Sequence, residues 1–169
     1  LLCERICRAQ GQLVLVTAPA GFGKTTALRQ AHAQLQAQGV RCLWLTLESG
    51  DNDTSRFVAS LEAAIQLAGL PSRGDAIRSL IDAPEPFALF LDEAELLSEP
   101  AVLALLRELV AHLPAHGRVV MGSRTVPAIG LGRLRVRGQL TEIDTEALRF
   151  GLPEVVALFN SLGLPQGLN

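Results

Sequence analysis

Between a short apolar run and an amphipathic stretch, this chain carries Ala18-Pro19-Ala20-Gly21-Phe22-Gly23-Lys24-Thr25-Thr26. The run before it, Gln12-Leu13-Val14-Leu15-Val16-Thr17, has the β-branched apolar character of a strand buried on both faces. After it, Leu28, Ala31 and Leu35 recur at helical spacing, and Gly39 stops the helix. Strand, glycine loop and helix in that order are the setting of a Walker A loop, here with Ala18 at the place of the commoner first glycine. The residue types follow from holding a phosphate. Gly21 and Gly23 allow backbone angles and a close approach that side chains block. Phe22 and Thr26 complete the loop around them. Lys24, the lone lysine of the chain, is a compact, mobile charge for β- and γ-phosphates. Thr25 offers a hydroxyl oxygen to Mg²⁺. The helix starting near Lys24 adds unpaired N–H groups and its positive dipole end.

A second element ends in acid. Phe87-Ala88-Leu89-Phe90-Leu91-Asp92-Glu93 is an apolar strand followed by two carboxylates, the pattern of a Walker B strand. A buried strand delivers Asp92 to its C-terminal edge, where it can hold a Mg²⁺ shell. Glu93, one residue on, can polarise an attacking water as a general base. A strand end with a solvated acidic turn is the plainer reading, since Glu95 and Glu99 follow. Gly122-Ser123-Arg124 closes a later strand. A forked, permanently charged Arg124 suits contact with a γ-phosphate, and an ordinary solvated arginine stays equally open.

The remaining pattern alternates. Leu2, Ile6 and Ala9 mark an opening helix, and Arg41–Leu47 a second strand. The polar loop 48–53 leads to a helix with Phe57, Leu61, Ala64 and Ile65 on one side, and residues 75–83 form a further short helix. Ser98 caps the next helix, with Pro100 in its first turn. Residues 118–122 and 139–143 read as the last two strands. Strands separated by helices imply a parallel sheet with right-handed crossovers. The chain has 169 residues, 49% hydrophobic and 4% aromatic, so one core is built from Leu, Val and Ala. Its start at Leu1 and its tail after an unfinished helix read as an excised segment.

Composition excludes several classes. A net charge of −2 makes no general case for nucleic-acid or anionic-membrane binding. No apolar run is long enough to span a bilayer. Three cysteines read as reduced thiols in a cytoplasmic setting. Cys3 and Cys7 share a helix face as half-buried thiols, not a metal site. His32 reads as a helix-surface residue. Arg133, Arg135 and Arg137 alternate with Leu134 and Val136, which lines a basic face or solvates one side of a short segment; the aliphatic neighbours give no stacking platform for bases. Asp51, Asp53, Ser55 and Glu62 loosely echo a calcium loop, but Arg56 stands where glycine is needed.

Taken together, these stretches resemble the nucleotide-binding module of the large ATP-dependent LuxR-type regulators, the MalT-like group of STAND ATPases. The resemblance rests on residues 13–26, Glu48–Asp53 with Arg56-Phe57, Leu91-Asp92-Glu93, Gly122-Ser123-Arg124, the run from Leu131 to Leu140, and Leu148-Arg149-Phe150. Family members often carry two aspartates where this chain has Asp92-Glu93. The resemblance implies a three-layer α/β P-loop NTPase core of the ASCE/STAND type, with a mainly parallel five-stranded sheet, over residues 1–150. Residues 151–169 then begin a helical domain. It further implies ATP/ADP and Mg²⁺ as ligands, with Gly21, Phe22, Gly23, Lys24, Thr25 and Thr26 on the nucleotide, Thr25 and Asp92 on the metal, and Glu93 and Arg124 in catalysis. Self-association belongs to the full-length ATP-bound form, DNA binding to a C-terminal domain beyond this chain, and no membrane partner is expected. The expected activity is a slowly hydrolysing Mg-ATP switch in a transcription regulator. An AAA+-like motor or loader, a small-molecule kinase and a non-hydrolysing nucleotide-sensing module are the rivals.

Overall fold

The computed structural model describes residues 1–144 and residue 161. Leu148-Arg149-Phe150 and, residue 161 apart, the expected helical start over 151–169 lie outside the described residues. The elements run α1 (Leu2–Arg8), β1 (Leu13–Thr17), α2 (Lys24–Ala37), β2 (Arg41–Thr46), α3 (Thr54–Leu67), α4 (Ala76–Ile81), β3 (Phe87–Asp92), α5 (Pro100–Ala111), β4 (Gly117–Ser123), α6 (Leu131–Val136) and β5 (Leu140–Ile143). The five strands form one sheet in the order β2-β3-β4-β1-β5, and every pairing is parallel. Each crossover contains at least one helix, as parallel neighbours require.

Successive strand residues point to opposite faces, so the sheet divides the core in two. On one side, Val14, Val16, Phe90 and Val120 pack with Leu28, Ala31 and Leu35 of α2 and Ile6 of α1. On the other, Leu13, Leu15, Leu89, Leu91, Val119 and Met121 pack with Phe57, Leu61 and Ile65 of α3, Leu80 of α4 and Leu106 and Leu109 of α5. Three layers result, with α1 and α2 on one face and α3 to α6 on the other. Each fully buried Leu or Phe side chain contributes about 1.5–3 kcal/mol. Arg118 closes one corner by donating to the carbonyls of Ile6, Cys7 and Ala9, at 3.2, 3.0 and 2.8 Å, where α1 ends.

Three local expectations change. Ser98 does not cap α5; the N-cap is Glu99, without a side-chain bond, and Pro100 takes the first helical position. His32 is half-buried, its ring centroid 5.8 Å from Trp44 and 5.3 Å from Phe90. The alternating arginines sit on and just after the helix α6. Helical periodicity puts Arg133 and Arg137 on one face and turns Arg135 to Glu142, 2.6 Å away.

Strand register brings the loop-bearing ends together. Thr17 is paired with Ser123 and Thr46 with Asp92, so the C-terminal ends of neighbouring strands line up along one edge of the sheet. In open parallel sheets this edge is where ligands bind.

Candidate functional site

The loop after β1 turns through two left-handed glycines, Gly21 at φ 84° and Gly23 at φ 77°. A side chain at either would be strained, although no protein atom lies within 4 Å of the added Cβ. Gly23 is also the N-cap of α2 and offers no side chain to the first-turn N–H groups. Those donors face the loop, an arrangement suited to an anion. Lys24 opens the helix and is 9% exposed. Its Nζ donates to the carbonyls of Ala18 at 2.9 Å and Pro19 at 3.4 Å, so the charge lies against its own loop.

Thr25 joins the loop to the acidic strand end. Its hydroxyl donates to Oδ2 of Asp92 at 2.7 Å, across 67 residues of sequence. Asp92 is 2% exposed and its Oδ1 accepts the main-chain N–H of Glu93 at 3.0 Å. The intervening strand β4 leaves room for this contact through Gly122, where a Cβ would stand 3.0 Å from Leu28 and 3.1 Å from the Asp92 carboxylate.

Glu93 has φ 60°, the one non-glycine among the described residues in the left-handed region. For such a residue that backbone costs on the order of 1–3 kcal/mol. The Asp92 bond on one side and a Leu96 N–H donating to the Glu93 carbonyl at 3.1 Å on the other hold it there. A hydrogen bond to Glu95 raises the Glu93 carboxyl above the usual carboxylate range. Burial and the charges of Glu95 and Asp92 push the same way, against Arg124. Arg124 in turn pairs with Glu95, Nε to Oε1 at 3.2 Å.

Ala20, Gly21, Gly23, Lys24, Thr25, Thr26, Glu93 and Arg124 line one cavity of about 240 Å³. The structure therefore brings together all the sequence-predicted site residues but two at a single wall. Asp92 lies buried behind Thr25. Phe22 stands 43% exposed at the loop tip and does not line the cavity. A larger cavity of about 610 Å³ lies between α5 and α6, with a mainly apolar floor and Arg107, Arg133 and Arg137 among its walls. No carboxylate lines it, whereas Glu93 lines the smaller cavity beside the glycine loop.

The fit to Mg²⁺ rests on the donor set. Thr25 and Asp92 supply two hard oxygens in contact, and Mg²⁺ keeps several waters and takes its remaining ligands from substrate phosphates. Among the described residues no group of three or more His, Cys, Asp or Glu forms a metal cage of its own. No helix among them is long and apolar enough to cross a membrane.

Sequence reasoning missed three contributors. Gly122 acts through the Cβ it lacks. Glu95 reads as a solvated acid in sequence but is nearly buried. Asn52 reaches from the β2–α3 loop to the segment after β3. Its Oδ1 accepts the N–H groups of Ser98 and Glu99 at 2.8 and 2.9 Å, and its Nδ2 donates to the Leu96 carbonyl at 2.9 Å. Only Glu48-x-x-Asp51, which brackets a 3-10 turn with Asp51 Oδ2 accepting the Glu48 N–H at 2.7 Å, left a local signal of order in that loop.

Comparison with known proteins places the chain by family and fold. A family model described as an AAA domain matches residues 7–123. The chain is similar to the HTH-type transcriptional regulator MalT of Yersinia enterocolitica, 34% identical over 94% of this chain and 20% of that protein. MalT of Serratia proteamaculans is 31% identical over 95% of this chain and 19% of its own length. The chain thus spans about a fifth of the curated relatives it matches. Among solved structures, AMPPCP-bound DnaA from Aquifex aeolicus superposes with a TM-score of 0.54 at 15% identity, over 98% of this chain and 50% of that one. A replication initiator DnaA bound to AMPPCP and single-stranded DNA gives 0.59 at 14% identity, over 98% and 51%. At such identities the likeness concerns the fold.

Proposed function

The chain belongs to the AAA-domain family, and from that premise we propose that it is the Mg-ATP-binding, slowly hydrolysing switch module of a transcription regulator. The observation that carries the nucleotide reading is the 2.7 Å contact of Thr25 with Asp92 beside a left-handed glycine loop and Lys24. The regulator part rests on the similarity to MalT along nearly the whole chain. DNA binding and self-association in the ATP form belong to the longer protein, in a cytoplasmic setting.

Each residue has a physical task. The glycine loop and the start of α2 present N–H groups to the phosphates. Lys24 exchanges its two loop carbonyls for phosphate oxygens, a stronger, charge-assisted contact. Thr25 and Asp92 hold Mg²⁺, which when bound neutralises charge on the β- and γ-phosphates. Glu93, with its raised affinity for a proton, orients water and accepts a proton from it. Arg124 faces the phosphate end of the cavity and reads the γ-phosphate. Slow turnover is expected from the open wall, since catalysis depends on a closed, preorganised site.

The test is a titration with a fluorescent ATP analogue, with and without Mg²⁺, beside a phosphate-release assay. Asp92→Asn is expected to weaken Mg-dependent binding, and Glu93→Gln to keep binding while slowing hydrolysis. Parent-rate hydrolysis by Glu93→Gln removes Glu93 from the role of base. Turnover of many per second, stimulated by DNA, overturns the switch reading in favour of a motor.

A further inference from the structure

The turn after β3 contains a second acid, whose effect described so far is to raise the proton affinity of Glu93. Glu95 has a side chain only 12% exposed. Its Oε1 is buried and has no aligned hydrogen-bond donor. A carboxylate in that position is costly unless a compensating charge is near. The charge is Arg124, whose Nε lies 3.2 Å from Oε1. The other oxygen, Oε2, accepts the main-chain N–H of Arg124 at 3.3 Å. Glu95 therefore grips Arg124 at two points, the root of the guanidinium and the backbone. The terminal nitrogens, Nη1 and Nη2, donate no hydrogen bond among the described residues. Arg124 lines the cavity with Gly21, Gly23 and Lys24.

We propose that Glu95 is a positioning residue that aims Arg124 at the terminal phosphate of a nucleoside triphosphate and so sets the preference for triphosphate over diphosphate. This rests on the reading of the cavity as a nucleotide site. A guanidinium has donors along two edges. Held at Nε, it keeps its outer fork for a phosphate, the geometry in which arginine binds such groups best. A long side chain fixed before the ligand arrives loses less freedom on binding. The same grip explains a buried acid with an orphaned oxygen, which a solvated turn does not need.

The experiment is calorimetric titration of the 169-residue chain with Mg-AMPPCP and with Mg-ADP, for the parent, Arg124→Ala, Glu95→Ala, Glu95→Gln and the Glu95→Ala/Arg124→Ala pair. Arg124→Ala is expected to lower AMPPCP affinity about tenfold and leave ADP within about twofold. Glu95→Ala should show the same selective loss, and the double variant should lose no more than either single one, because residues acting as a unit are non-additive. Glu95→Gln, which keeps an acceptor for the main-chain N–H, should fall between parent and Glu95→Ala. An equal loss of both nucleotides in Glu95→Ala and Glu95→Gln makes Glu95 merely structural and overturns the proposal. So does an unchanged ratio in those variants, or a loss that adds to that of Arg124→Ala. If Arg124→Ala leaves the ratio unchanged while both nucleotides bind, the proposal fails and the nucleotide site stands. If the parent binds neither nucleotide, both fall.

Discussion

In the proposed nucleotide site Lys24 is the side chain with most at stake. Buried to 9% exposure, it rests against Ala18 and Pro19 with no acid among its bonded partners. Lys24→Ala is expected to lower affinity for Mg-ATP at least tenfold, on the order of 1.4 kcal/mol, in a fluorescent-nucleotide titration. His32 is a second case, of stability. Meeting the rings of Trp44 and Phe90 edge-on, it has its proton affinity lowered by burial first and by Arg29 second. The sign follows from linkage. Above the ordinary value of 6.5 the ring is neutral in both states and the stability is complete. Below it the unfolded chain takes up the proton first, so stability falls until the folded state titrates as well. The urea midpoint, followed by Trp44 fluorescence, should drop as the pH falls below 6.5, and the drop should shrink in His32→Gln.

At the scale of elements, the connections after β2 and β3 are one structure. Arg56 bonds Glu48 at 2.6 Å and lies 3.8 Å from the buried Asp51, while Asp53 caps α3 by accepting the Arg56 N–H at 2.9 Å. Gly50 leaves the space that the Arg56 guanidinium fills. Asn52 then satisfies the N–H groups ahead of α5, which Ser98 and Glu99 do not cap themselves. The loop that carries Glu93 and Glu95 thereby has both ends fixed, at Asp92 and at Glu99. Asn52→Ala is expected to cost about 1–2 kcal/mol, as loss of a helix cap does. In hydrogen exchange the Ser98 and Glu99 amides should lose protection before those of α3.

Over the whole molecule, one sheet holds the site and both cores. Phe90, on β3, is fully buried and stacked on Trp44 of the edge strand β2, with centroids 5.7 Å apart and an interplanar angle of 15°. It belongs to the same strand as Asp92, so packing and site geometry share a backbone. Phe90→Ala removes a large buried ring and is expected to destabilise the fold by about 3–5 kcal/mol in chemical denaturation. A change of that size takes much of the stability of a domain of this length.

The local features were legible because they follow from local physics. A short unbroken apolar run with β-branching marks β1, glycine angles mark the loop, and the apolar run ending at Asp92 marks β3. Each of these is decided by sterics and burial within a few residues. The order β2-β3-β4-β1-β5 was not legible, because strand pairing is chosen by how whole faces bury against helices. The alternating arginines read either as a basic face or as one solvated side, and the helix α6 splits them between two faces. The same limit hid the contacts that define the site. Thr25 meets Asp92 across 67 residues, Asn52 meets Glu99 across 47, and Arg124 meets Glu95 across 29. Residue types announced a phosphate loop and an acidic strand end. Only the folded sheet, by aligning its strand ends along one edge, decided which side chains meet there.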